Sequence, residues 1–188
     1  MHRPLITLTI LTVVIAAPGL AQQAPPTRVG RVSFVSGNLA FHTAGQTEWS
    51  AAAVNYPVAT GAVLWTDAEA RAEIRIGPDT VDMASNTELD VVALDERVTR
   101  FEVPQGRIYL HLRRLDQGRS VEIDIPRGAV QLLQPGYYDI DAGTQDQPAR
   151  IAVFGGNARF VGNGARHCRQ SRRCRGVERD QSASAPCA

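Results

Sequence analysis

A chain of 188 residues has room for one domain with a real core and excludes a second large one. The net charge of +1 conceals a division: residues 22–165 carry 13 Arg against 17 Asp and Glu, whereas residues 166–188 carry 6 Arg against Glu178 and Asp180, so a mildly acidic body precedes a basic tail. All 20 basic residues are arginine, and the lack of lysine removes Schiff-base chemistry, a phosphate-loop lysine and a Ser-Lys dyad together.

The first 21 residues have the layout of a secretory signal peptide. His2 and Arg3 open it, an apolar stretch runs from Leu5 to Ala17, and small residues at Gly19 and Ala21 place cleavage after Ala21. The stretch between Pro4 and Pro18 falls short of the roughly 20 residues that a spanning helix needs. No cysteine stands at the cleavage point to take a lipid anchor. The expectation is an exported protein of the periplasm or extracellular space, not membrane-spanning after cleavage, with residues 22–27 (QQAPPT) as a short leader.

From Arg31 the pattern changes to period-two alternation. In ARAEIRIGPD, Ala70, Ala72, Ile74 and Ile76 face one way and Arg71, Glu73 and Arg75 the other, before Gly77-Pro78-Asp79 turns the chain. RIYLHLRR sets Ile108, Leu110 and Leu112 against Tyr109, His111 and Arg113, and VEIDIP sets Val121, Ile123 and Ile125 against Glu122 and Asp124. Such alternation predicts strands with one face in a core and one in water.

Turn signals interrupt these runs at Ser36-Gly37-Asn38, Ala44-Gly45, Asp95-Glu96, Pro104-Gln105-Gly106, Asp116-Gln117-Gly118, Pro126-Arg127-Gly128, Pro135-Gly136 and Gly155-Gly156-Asn157. Pro104, Gly106, Pro126, Gly128, Pro135 and Gly136 are read as structural turn residues. FEVPQGRIYL and VEIDIPRGAV echo each other, which suggests stacked hairpins. The predicted fold is all-β: a single elongated sandwich-like or solenoid-like domain of short antiparallel strands and hairpins over residues 28–163, with 164–188 a basic, cysteine-containing disordered tail.

On these residues the chain resembles the FecR-domain family of exported bacterial β-domains. The resemblance rests on VGRVSFVSGNLAF, VATGAVLWTDAEARAEIRIG, FEVPQGRIYLHLRRL and above all VEIDIPRGAVQLLQPGYYDID, and covers roughly residues 28–163. It implies an extracytoplasmic module without catalytic residues. The family's namesakes are membrane-spanning regulators whose cytoplasmic part controls an iron-responsive sigma factor and whose outer part senses a loaded outer-membrane transporter. This chain is expected to be a stand-alone form without the cytoplasmic segment, so the sigma-regulator role does not carry over.

Candidate sites are few. The pairs Glu122/Asp124, Asp139/Asp141 and Glu88/Asp90 sit two residues apart in alternating strands and are read as solvated faces, because a Ca²⁺ site needs six or more converging oxygens. His42 and His111 fall on outward phases without a partner at a recognisable spacing. No metal, cofactor or catalytic residue is assigned, and the serine-hydrolase, zinc-protease and P-loop motifs are missing. Trp49 and Trp65 flank a stretch suited to cover one end of the sheet. Of Tyr137 and Tyr138, consecutive in a strand, one is expected in the core and the other exposed.

The tail holds Cys168, Cys174 and Cys187 after 167 residues with none. Three exported thiols allow one disulfide and leave one over, while their spacing suits no zinc site. Six arginines would bind phosphate, yet export places them away from nucleic acid. Alternation stops near Asn163, as in a disordered tail, whether native or the product of a slip in reading frame; a slip would leave a sheet edge unpaired.

The function these readings point to is a non-catalytic FecR-like module that binds an envelope protein in signalling or organisation. Its rivals are a cell-wall or glycan-associated structural module and an enzyme with an unrecognised acidic site, which would require carboxylates from different strands to converge in a cleft.

Overall fold

The computed structural model describes residues 28–144 and 146–162, together with the backbone of residues 167–169 and 173–175. The expected signal peptide with its cleavage point at Ala21, the leader 22–27 and the rest of the tail, Cys187 included, lie outside the described residues.

In chain order the strands are β1 (Gly30–Ser36), β2 (Leu39–Thr43), β3 (Ser50–Ala51), β4 (Pro57–Val58), β5 (Ala62–Thr66), β6 (Arg71–Ile76), β7 (Asp79–Met83) and β8 (Thr87–Leu94). They continue as β9 (Val98–Glu102), β10 (Arg107–Leu112), β11 (Ser120–Ile125), β12 (Gly128–Leu132), β13 (Gly136–Asp141), β14 (Arg150–Val153), β15 (Asn157–Gly162), β16 (His167–Arg169) and β17 (Arg173–Arg175). The described residues contain no helix.

Sheet A has the order β17-β14-β13-β10-β7-β6-β1-β4 and sheet B the order β16-β15-β12-β11-β9-β8-β5-β2-β3. Both orders follow the sequence almost monotonically, so the chain passes once along an elongated sandwich and changes sheet as it goes. The period-two residues predicted to face inward do so: Ile74 and Ile108 of sheet A and Ile123 of sheet B belong, together with Met83, Leu89 and Phe101, to one buried cluster. Each sheet hides its apolar face only against the other.

Turn residues of one chemical type make two kinds of connection. Pro126-Arg127 is a two-residue hairpin turn, with Ile125 paired to Gly128 and both strands in sheet B. Pro104 to Gly106 is an arch that carries the chain from β9 in sheet B to β10 in sheet A. Pro135, just before Gly136 opens β13, lies in a second arch from sheet B to sheet A, and Gly155-Gly156 in a third that returns. The expected stack of similar hairpins is therefore corrected to an alternation of hairpins and arches. Backbone angles set by Pro and Gly turn the chain, while the sheet its next apolar face joins decides the kind of turn. As a result β9 and β11 pair in parallel, with β10 between them in sequence but in the other sheet. This pair departs from the all-antiparallel expectation. Gly106 has φ +88°, and a Cβ there would meet the Thr87 Cα at 2.5 Å, so the close approach of two arches requires glycine.

Buried polar groups bind the arches to one another. Thr66 Oγ1 donates to the Ala84 carbonyl at 2.6 Å and accepts from the Thr87 N–H at 3.1 Å, and Thr87 Oγ1 accepts from the Arg107 N–H at 3.0 Å. At the opposite ends of the strands, Tyr138 is 1% exposed and Tyr137 56%, the division expected from their adjacency. The Tyr138 hydroxyl donates to the Gln134 carbonyl and accepts from the Asn157 N–H at 3.2 Å, joining two arches through one atom.

Asp79, read as part of a turn, instead opens β7 and is 4% exposed. One carboxylate oxygen accepts from the Arg113 N–H at 2.9 Å; the other accepts from Arg119 Nη2 at 2.8 Å, with Arg28 Nη2 at 3.9 Å. This pins the long arch between β10 and β11 to the β6–β7 hairpin.

One end of the sandwich is crossed by the chain. The stretch between Trp49 and Trp65 leaves sheet B at β3 and enters sheet A at β4, burying Val58 and laying Tyr56 against Phe41 with ring centroids 3.9 Å apart. At the other end β16 pairs with β15 and β17 with β14. Six residues of the tail expected to be disordered are thus strands, because the open backbone groups of the last strands recruit the following chain even where alternation has stopped.

Tyr138→Phe should cost about 1–3 kcal/mol, since it strands an arch N–H and a carbonyl. Asp79→Ala should cost about 3–5 kcal/mol by leaving the guanidinium of Arg119 buried and unpaired. Urea denaturation of both variants measures this, and a loss below about 0.5 kcal/mol in either would show that the link does not hold its arch.

Candidate binding face

Outward residues of sheet A are aligned by strand register into rows. Phe34 pairs with Glu73, Glu73 with Asp82, Asp82 with Tyr109 and Tyr109 with Asp139. A β-bulge between Val32 and Phe34 turns Phe34 outward and lets Val35 pack against the core. In the next row Thr80 pairs with His111 and His111 with Tyr137.

These rows enclose a groove of about 500 Å³ lined by Glu73, Thr80, Asp82, Tyr109, His111, Tyr137 and Phe154, with parts of Leu110 and Tyr138. Large apolar side chains stand in water around it, Phe154 at 69% exposure and Tyr137 at 56%. His111 lies flat on Tyr137, ring centroids 3.9 Å apart and planes 17° from parallel. The guanidinium of Arg107 sits 4.7 Å from the Tyr109 centroid, so this ring already holds one cation.

The acids of this face have different surroundings. Glu73 accepts from the Ser33 hydroxyl at 2.5 Å and lies 3.3 Å from Arg75 Nε. Asp139 was expected in water with Asp141, and the structure corrects this: Asp139 is 3% exposed. Arg107 grips it through two parallel bonds, Nε to Oδ1 at 2.7 Å and Nη2 to Oδ2 at 2.5 Å. Asp141 accepts from the Gly143 N–H at 3.0 Å. The bond to Asp139 also raises the pKa of Arg107.

Asp82 has no hydrogen bond or ion pair among the described residues. Burial pushes its carboxyl above the usual carboxylate range, with the charge of Glu73 adding to the rise and His111 opposing it. Glu73 and Asp82 are therefore two carboxylates from neighbouring strands converging in one groove, with one of them uncompensated. Glu73, Tyr109 and His111 follow from alternation in the sequence. Asp82 could have been found by the same rule in DTVDM, where Thr80 and Asp82 share the outward phase. Nothing sequential brings Phe154 to them.

Sheet B carries the other two acidic pairs. Glu122 and Asp124 flank Arg100, whose Nε lies 3.6 Å and 2.6 Å from them. Asp90 is cross-strand to Glu102, and burial, followed by the charges of Glu88 and Glu102, pushes its carboxyl up to about 6. Its Oδ1 is buried without a hydrogen-bond partner. His42, whose charge opposes the Asp90 shift, meets Trp49 edge-on at 4.6 Å. Among the described residues, no group of three or more His, Cys, Asp and Glu is placed to hold a metal ion, and no helix is long and apolar enough to cross a membrane.

A raised folded-state pKa for Asp90 means that ionisation disfavours folding, so its contribution to stability improves as pH falls from 7 through about 6 toward the unfolded value near 4. Asp90→Asn should raise Tm at pH 7, and the gain should shrink by pH 4.5, where the native carboxyl is protonated. Thermal unfolding at the two pH values checks this, and an equal gain at both would remove Asp90 as the cause.

No protein-family model and no curated protein sequence matches the chain. Among solved structures, two crystal structures of a "putative anti-sigma factor" from Parabacteroides distasonis ATCC 8503 superpose with a TM-score of 0.52, at 10% and 11% sequence identity. The shared part covers 62% of this chain and 59% of theirs. At this identity the likeness is one of fold alone.

Proposed function

We propose that the chain is a non-catalytic, exported, FecR-like binding module that acts in envelope signalling through protein contacts made by the outer face of sheet A. The observation that carries this reading is the groove between Tyr109, His111, Tyr137 and Phe154, where large apolar side chains stand exposed around an uncompensated carboxylate. Interface centres favour aromatic anchors of this kind. Sheet B has a depression between Trp49 and Trp65, but its acids are already engaged, Asp67 by Trp65 Nε1 and Asn38 and Glu88 by Gln105. The described anti-sigma neighbours are compatible with a regulatory role. Catalysis is no part of the reading, since Glu73 is already held by Ser33 and Arg75.

A photo-crosslinking residue at Tyr137 or Phe154, introduced in the native host's envelope, should capture the same protein from both positions. Val161, exposed on sheet B, should not capture it. Capture of nothing from either position would overturn the reading. Retention on insoluble envelope polysaccharide that is lost in Tyr137→Ala would instead favour the glycan-associated module, because an exposed tyrosine ring also stacks on sugars. Hydrolytic turnover dependent on Asp82 would establish the acidic-site enzyme.

A further inference from the structure

Resting on that reading of the sheet A face, we propose that the groove takes a basic side chain of the partner, arginine in preference to lysine, with Asp82 as its counter-charge. Glu73 and Asp82 are direct cross-strand neighbours, and like charges so placed repel. Ser33 and Arg75 engage Glu73, so the cost falls on Asp82, half-buried with no bonding partner among the described residues.

A cation entering the groove removes this cost and gains Coulomb attraction in a partly desolvated place. The walls fit the same guest. Tyr109, cross-strand to Asp82, already binds one guanidinium on its ring, and Tyr137 offers a second exposed ring one row away. Planar guanidinium stacks on tyrosine and bonds a carboxylate with two parallel N–H groups, which an ammonium cannot do. An anionic guest is disfavoured by the two carboxylates. Arg75 is engaged by Glu73 and Arg107 by Asp139, while Arg113 lies beyond Thr80 in an adjoining depression lined with His111, which leaves the Asp82 end unneutralised.

The test uses the full chain and three tripeptides: Gly-Arg-Gly, Gly-Lys-Gly and Gly-citrulline-Gly, in which citrulline keeps the shape of arginine without its charge. Aromatic NMR resonances of Tyr109, His111 and Tyr137 are followed during titration. Gly-Arg-Gly should shift them saturably, more tightly than Gly-Lys-Gly and about tenfold more tightly than the citrulline peptide, a difference typical of one ring-stacked ion pair. Asp82→Asn should abolish the preference for arginine over citrulline, whereas Asp90→Asn, on the other sheet, should leave it intact. Equal binding of arginine and citrulline peptides, or equal binding by the wild type and Asp82→Asn, would overturn the proposal, as would shifts produced by chitotriose and not by Gly-Arg-Gly. Crosslinking from Tyr137 separates the two readings: a partner captured equally by the wild type and Asp82→Asn keeps the binding face and discards the cation, whereas no captured partner removes the face itself.

Discussion

The longer strands of the described residues have one apolar side, and a single sheet cannot hide it. The whole architecture follows from the need to set two such sheets face to face. Because the chain is laid down in sequence order in both, the solution is repeated sheet-changing arches, each of which must turn the backbone through the edge of the sandwich without exposing the core or orphaning peptide groups. The dispersed cluster around Ile74, Leu89, Phe101 and Ile123 is continuous for this reason.

The arches explain where the buried polar residues lie. Thr66 and Thr87 bind the arches at one edge, and Tyr138 and Asp79 bind those at the other. Each of these side chains satisfies backbone groups that a hairpin ladder would have satisfied by itself. Arg119 is buried for the same structural purpose, and its Nε is left without a partner, one of few such atoms among the described residues. Folding that depends on arches is slow by its nature, because contacts between consecutive sheets are not local.

With the inner faces committed to the core, chemistry is confined to outward positions, and the two sheets use these differently. Sheet B spreads its acids along Glu88, Asp90, Glu102, Glu122 and Asp124, with Arg100 between two of them. Sheet A gathers four exposed rings, whereas sheet B sets Trp49 and Trp65 at one end. The outward rows of sheet A set Phe34, Tyr109, Tyr137 and Phe154 around Glu73 and Asp82, while Arg107 and Asp139 neutralise each other beside them. The asymmetry between the faces is what gives the domain a front and a back.

The amino-acid sequence by itself determined the strands and their phase: Ile108, Leu110 and Leu112 could only be inward once RIYLHL was read as a strand, and of Tyr137 and Tyr138 only one could be. It also marked many of the turns through Pro and Gly, but not the arches at 67–70 and 84–86, where Glu69 and Asn86 take the positive φ instead. It did not determine which turns are hairpins and which are arches, because FEVPQGRIYL and VEIDIPRGAV carry the same Pro-x-Gly and differ only in the sheet to which the following strand belongs. Nor did outward phase mean exposure: Asp139 is covered because Arg107 lies in register to fork it. The groove was decided by tertiary structure alone. Its residues come from β6, β7, β10, β13 and the chain just after β14, and only strand order and register place Asp82 beside Tyr109, His111 beside Tyr137 and Phe154 at their edge.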